Sequence, residues 1–337
     1  MKKLIATTAL VSLAVLSSAN AETKISGNLG IGFLAHSYDP ASGTATGSFT
    51  TVGRESQINI ANSGTLSNGV KYAAGFSWEA DGAESIGGAS TAENTYIDLM
   101  FGDTTFSLSA DHMDNLNANP TNLVGFGFLQ AASGLYDRNT GYVGGNYSAS
   151  LIQKIGGTNV TLSYIPHSNS NLAANDVFDG TTAGASGTTG PSATSIIVKG
   201  DLGVKGVSAL IGQDKTSKQD STLAIKKTKY SIGYTTGNVK VAVEKDNYDP
   251  GTVASEIDSK SIGVAYAVSD AMTVGITYGE AEYGTMTGKS TEETTLVAVG
   301  YNLGAVSVQA QYKTVDNLGA TTGIEAQELG LYVGTKF

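Results

Sequence analysis

No cysteine occurs in the 337-residue chain, which removes disulfide frameworks, thiolate metal centres and cysteine nucleophiles together. Histidine is nearly as scarce. His36, His112 and His167 stand alone, and neither H-E-x-x-H nor G-x-S-x-G occurs, so the common metalloprotease and hydrolase signatures are missing. Gly125-Phe126-Gly127 starts like a dinucleotide fingerprint but lacks the third glycine and the helix that should follow. Arginine is limited to Arg54 and Arg138, and 20 basic against 30 acidic side chains give a net charge of −10. A nucleic-acid partner, which requires a clustered basic surface, is excluded on that balance. Charged residues make up 15% of the chain, against roughly 25% in ordinary soluble domains. Beyond residue 21 no run approaches the ~18 uninterrupted apolar residues of a membrane-spanning helix.

Glycine, by contrast, is abundant, with 43 residues, close to twice its usual share of about 7%. The first 21 residues read as a signal peptide: Lys2 and Lys3, an apolar stretch from Leu4 to Leu16, and Ala19-Asn20-Ala21 as the cleavage site. Cleavage near Ala21 leaves 18 basic and 30 acidic side chains on residues 22–337, a net charge of −12. That remainder is patterned with period two. Leu329, Leu331, Val333, Thr335 and Phe337 alternate with Glu328, Gly330, Tyr332, Gly334 and Lys336, one apolar face and one wet.

Similar segments recur, bounded by Gly, Asn, Asp or Ser. Sixteen strands are predicted, near 24–36, 55–64, 70–79, 95–102, 105–112, 141–152, 160–167, 195–201, 204–213, 228–236, 239–247, 260–268, 272–281, 294–302, 306–315 and 327–337. Seven tight turns alternate with eight long connections, the longest early one being 113–140. This is the organisation of an all-β, sixteen-stranded antiparallel transmembrane β-barrel in one domain, with short periplasmic turns and long extracellular loops. A soluble β-sandwich would bury the same apolar faces in a core, but sandwiches do not usually alternate turns and loops in this way. A barrel of sixteen strands leaves a water-filled channel, so passage of small hydrophilic solutes is the expected function. Loop 113–140 carries Leu123, Val124, Phe126, Phe128, Leu129 and Leu135, too apolar for a solvated loop. It packs on something, either the inner wall or a neighbouring subunit or lipid headgroups.

The leader followed by Lys24-Ile25-Ser26-Gly27-Asn28-Leu29-Gly30-Ile31-Gly32, the glycine-bounded hairpins, Asp137-Arg138-Asn139-Thr140-Gly141-Tyr142 as the start of strand 6, and the terminal Phe337 resemble the general porins of Gram-negative outer membranes, particularly the α-proteobacterial type. The resemblance implies an outer-membrane homotrimer and a third loop folded into the lumen as a constriction. It implies passive passage of ions and small polar solutes, contact with outer-membrane lipid and lipopolysaccharide, and Phe337 as the signal read by the barrel-assembly machinery. The chain departs from that family in charge, because general porins oppose loop acids to a wall of arginines. Its pore-lining candidates are Asp98, Asp111, Asp114, Asp137, Glu244, Arg54, Arg138, Lys71, Lys199, Lys240 and Lys313, each lysine being equally a rim residue. No cofactor is expected; Asp246 with Asp249 is a weak pair for Ca²⁺. A substrate-selective channel, an outer-membrane enzyme and an adhesin barrel are the alternatives, and the residues favour none of them over a diffusion channel.

Overall fold

Alternation becomes geometry in sixteen strands: β1 (Glu22–Asp39), β2 (Gly47–Thr65), β3 (Lys71–Glu79), β4 (Thr91–Phe101), β5 (Thr104–Ala110), β6 (Tyr147–Ile155), β7 (Thr158–Ile165), β8 (Ala193–Gly200), β9 (Val207–Thr216), β10 (Lys226–Thr236), β11 (Val239–Asp249), β12 (Ile257–Ala267), β13 (Met272–Tyr283), β14 (Glu292–Asn302), β15 (Val306–Asp316) and β16 (Glu325–Lys336). The computed structural model describes residues 21–39, 47–79, 91–110, 116, 121, 123–124, 147–166, 192–216, 224–249, 256–284, 291–318 and 321–337. The leader, the stretch 137–142 and most of the third loop lie outside the described residues. Every strand pairs antiparallel with its sequence neighbours, and β1 pairs with β16, so the sheet closes into a barrel and has no edge. The seam runs from Asp39↔Glu325 to Asn28↔Lys336 and ends in two bonds between Gly27 and Phe337: Gly27 N–H to the Phe337 carbonyl (2.9 Å) and Phe337 N–H to the Gly27 carbonyl (3.0 Å).

The short turns take their shape from local chemistry. Asn68, Asp201 and Asn302 side chains accept from the N–H two residues on, at 3.2, 2.9 and 2.9 Å, the Asx turn. Gly237 turns β10 into β11 at φ +54° with open space around it, so conformation rather than crowding calls for glycine there. Three expected boundaries are corrected. β2 starts at Gly47 rather than 55; the β6–β7 turn shrinks to Gly156-Gly157, while 141–146, the expected start of β6, lie outside the described residues; and the β8–β9 turn widens to 201–206. All five prolines fall between strands on the long-connection side, and Asp39, Ile165 and Asp249 end their strands immediately before one, as a residue without an N–H requires.

Cross-strand pairs share a face, so register sorts the whole wall. One face carries exposed apolar side chains, among them Ile25 (64%), Val52 (68%), Trp78 (53%) and Ile196 (47%); this is the lipid side. Towards the long loops it turns polar: Lys260 pairs with Glu280 at 2.7 Å, and the Tyr278 hydroxyl donates to Glu280 (3.0 Å) and Glu293 (3.1 Å). The other face, towards the lumen, is small and polar.

Candidate functional site

The inner face is built from serine, glycine and a few ionic groups. A single register row crosses five strands, Ser107 to Ser150, Ser163, Ser195 and then Asp214, beginning opposite Asp98 on β4. Ser150 and Ser163 hydroxyls bond at 2.7 Å, and Ser195 donates to Asp214 at 2.6 Å. Beyond it, the Lys229 ammonium is 2% exposed and contacts both Glu244 and Asp246 at 3.1 Å. A buried cation held between two carboxylates is shielded from the lumen water.

The third loop lies on this face. Leu116 is fully buried against Ile197 of β8 and Leu210 of β9. Thr121, also fully buried, shares a hydroxyl bond with Ser261 of β12 (2.8 Å), while its carbonyl accepts from the Thr277 hydroxyl of β13 (2.8 Å). The Val124 carbonyl accepts from the Gln309 amide of β15 at 2.8 Å. As residue number rises these contacts advance round the barrel, from β8 and β9 at Leu116 to β12 and β13 at Thr121 and β15 at Val124. A cavity of about 400 Å³ separates Leu123 and Val124 from the short-turn rim at Lys240, Asn302 and Ser307.

Of the ionic residues singled out from sequence, Lys71, Asp98, Lys199, Lys240, Glu244 and Lys313 lie on the inner face. They are not brought together. Lys71 opens β3, Lys240 is the second residue of β11 and Lys199 the penultimate residue of β8, so these three stand at the short-turn rim. Lys313 sits higher, opposite Glu328, which in turn pairs across the seam with His36. Arg54 is a correction: it pairs with Ile31 and therefore belongs to the outer face. Asp246 and Asp249 are three residues apart on β11, so their carboxylates point to opposite faces and do not converge on one ion. Asp111, Asp114, Asp137 and Arg138 lie outside the described residues.

Glu55, Gln57, Glu79, Asp214 and Lys227 are not placed in the lumen from sequence, though the signal is present, and Lys229 and Glu328 are put on a polar face without being numbered among the pore-lining candidates. Glu55, Gln57 and Asn59 alternate with Ile58 and Ile60, and placing Arg54 inside was inconsistent with that alternation. In the structure Asn28 donates to Glu55 (3.0 Å) and Gln57 to Glu79 (2.7 Å), holding both acids on the wall of β2 and β3.

A closed sixteen-stranded barrel with an apolar exterior, a polar interior and a loop laid along its inner wall is a membrane channel. The chain belongs to the Gram-negative porin family, whose model matches residues 6–323, and its place is the bacterial outer membrane. No curated relative matches the sequence. Among solved structures it is similar to the anion-selective porin from Comamonas acidovorans, at 15% identity and a TM-score of 0.65 over 94% of this chain and 100% of that one. It is also similar to a mutant of the Rh. blastica porin, at 14% identity and 0.60 over 94% and 100%. The outer-membrane-expressed OmpT of Vibrio cholerae matches at 16% identity and 0.60 over 95% and 99%.

Proposed function

We propose that this porin is a general diffusion channel, passing small hydrophilic solutes and ions without a cofactor and without catalysis, and that it works as a homotrimer. The observation that carries the channel reading is the seating of Leu116, Thr121 and Val124 on the inner wall, where they narrow a lumen that sixteen strands otherwise leave wide. Arg54 supports the trimer. An arginine on the outer face between Ile31 and Val52 suits a protein neighbour better than lipid, where a mid-membrane arginine costs about 2–4 kcal/mol. A trimer form has been solved for OmpT of Vibrio cholerae. The other partners in the proposal are outer-membrane lipid and lipopolysaccharide around the wall, and the barrel-assembly machinery reading Phe337.

Ion preference follows from the inner face. Glu55, Glu79 and Asp98 line β2–β4, whereas the lysines of the same strands are confined to Lys71 at the rim. The expected preference is for cations, and loop acids Asp114 and Asp137 add to it. Planar-bilayer recording tests both parts. Reproducible ohmic steps with a cation-side reversal potential in a salt gradient are expected. Absence of conductance from folded protein would end the channel reading, and anion preference would end the assignment of sign.

A further inference from the structure

Where the loop touches the wall, glycines stand among the hydroxyl, amide and apolar side chains that hold it. Leu116 lies at Gly212, directly opposite Lys229 in register; a β-carbon on Gly212 would stand 2.8 Å from the leucine Cδ2. At Gly263 a β-carbon would overlap the Thr121 carbonyl oxygen itself, and at Gly275 the Val124 side chain. At Gly300 it would sit at an ordinary 3.5 Å from Val124 Cγ1. These four glycines belong to β9, β12, β13 and β14, the stretch of wall that the loop follows. All lie in strands, where glycine packs nothing and weakens pairing, and none of the four is among the positive-φ glycines. Close approach of the loop is the physical reason that remains, by its backbone at Gly263 and by side chains at Gly212, where the Ile196 carbonyl also stands close, and at Gly275.

We infer that these wall glycines are positioning residues that set the calibre of the pore, with Gly263 the decisive one. The loop's depth is fixed by how near its backbone comes to the sheet. The Thr121 carbonyl can reach the Thr277 hydroxyl at 2.8 Å, with the Thr121 hydroxyl on Ser261 at 2.8 Å, only because nothing stands between them at position 263. A methyl group there displaces a carbonyl that lies directly against the wall. The loop therefore leans towards the barrel axis, loses the Thr277 bond and narrows the opening. Position 275 acts more weakly, because the obstacle is a side chain that can turn. Position 300 has room to spare.

The inference rests on the lumen being the conducting path, and single-channel recording separates the two. Gly263→Ala, Gly275→Ala and Gly300→Ala are compared with the parent, each first shown to be a folded barrel by its heat-modifiable gel mobility. The expected order is a clear loss of conductance for Gly263→Ala, a smaller loss for Gly275→Ala and parental conductance for Gly300→Ala. A parent that does not conduct defeats the channel reading. A conducting parent with folded Gly263→Ala at or above its conductance overturns the inference, and so does an equal loss in all three. Should Gly263→Ala fail to fold, Gly275→Ala decides: parental conductance there overturns the inference.

Discussion

Val241 and Lys240 are adjacent and live in different solvents. Val241 pairs with Tyr234 and Val264 on the lipid face, while Lys240 pairs with Thr235 on the inner face at the rim. Val241→Arg, near the rim, is therefore expected to cost less than the ~2–4 kcal/mol of a midplane arginine yet to lower the yield of folded barrel, whereas Lys240→Asp leaves assembly intact. Heat-modifiable mobility of the two variants reads this directly. Lys229 makes a different demand. Replacing it by Met strands the buried Glu244 beside the half-buried Asp246, a change of up to about 3–5 kcal/mol when one partner of a buried pair is removed. The unfolding temperature of Lys229→Met should fall, and most of the loss should return when Glu244→Gln and Asp246→Asn are added. No recovery in the triple variant would mean that Lys229 contributes through packing alone.

Strands are the element that period-two patterning announces well. β10 and β11 fall within two residues of their expected bounds, because Tyr230, Ile232 and Tyr234 alternate without interruption against Lys229, Ser231 and Gly233. β2 starts earlier than expected because its first half, Gly-Ser-Phe-Thr-Thr-Val-Gly-Arg from Gly47, breaks period two, its apolar Phe49 and Val52 standing an odd number of residues apart. The loop's burial was legible from its leucines, but its seat was not. The glycines beneath it come from four strands and meet only after the barrel closes, so no local pattern marks them. Facing errors had a similar origin. Arg54 looked like a lumen residue by charge, and only pairing with Ile31 shows where it points. Closure adds one more element-level expectation. The Tyr332 ring lies over both Gly30 and Gly334 across the β1–β16 seam; Gly30→Val evicts it, and the fraction of barrel resisting detergent at room temperature should drop.

At the scale of the whole molecule the net charge is spread thinly, and its effect on ions depends on screening. The Debye length shrinks from about 30 Å at 0.01 M salt to about 3 Å at 1 M. Cation preference measured as reversal potential should accordingly be clear in dilute salt and nearly vanish in concentrated salt; a preference that persists unchanged would mean that ions are stripped and held at one tight site. If the outer face at Arg54 meets a neighbouring subunit, Arg54→Glu should lower the temperature at which the oligomer dissociates on native gels while the monomer barrel stays folded.

The seam between β1 and β16 also has a history in time. Its two strands are the first and last of the barrel in chain order, joined at Gly27 and Phe337, so the ring's final hydrogen bonds wait until both ends of the sheet are in place. Loop closure over almost the full length of the chain is slow, and until it happens both flanking strands offer open ladders to any passing strand.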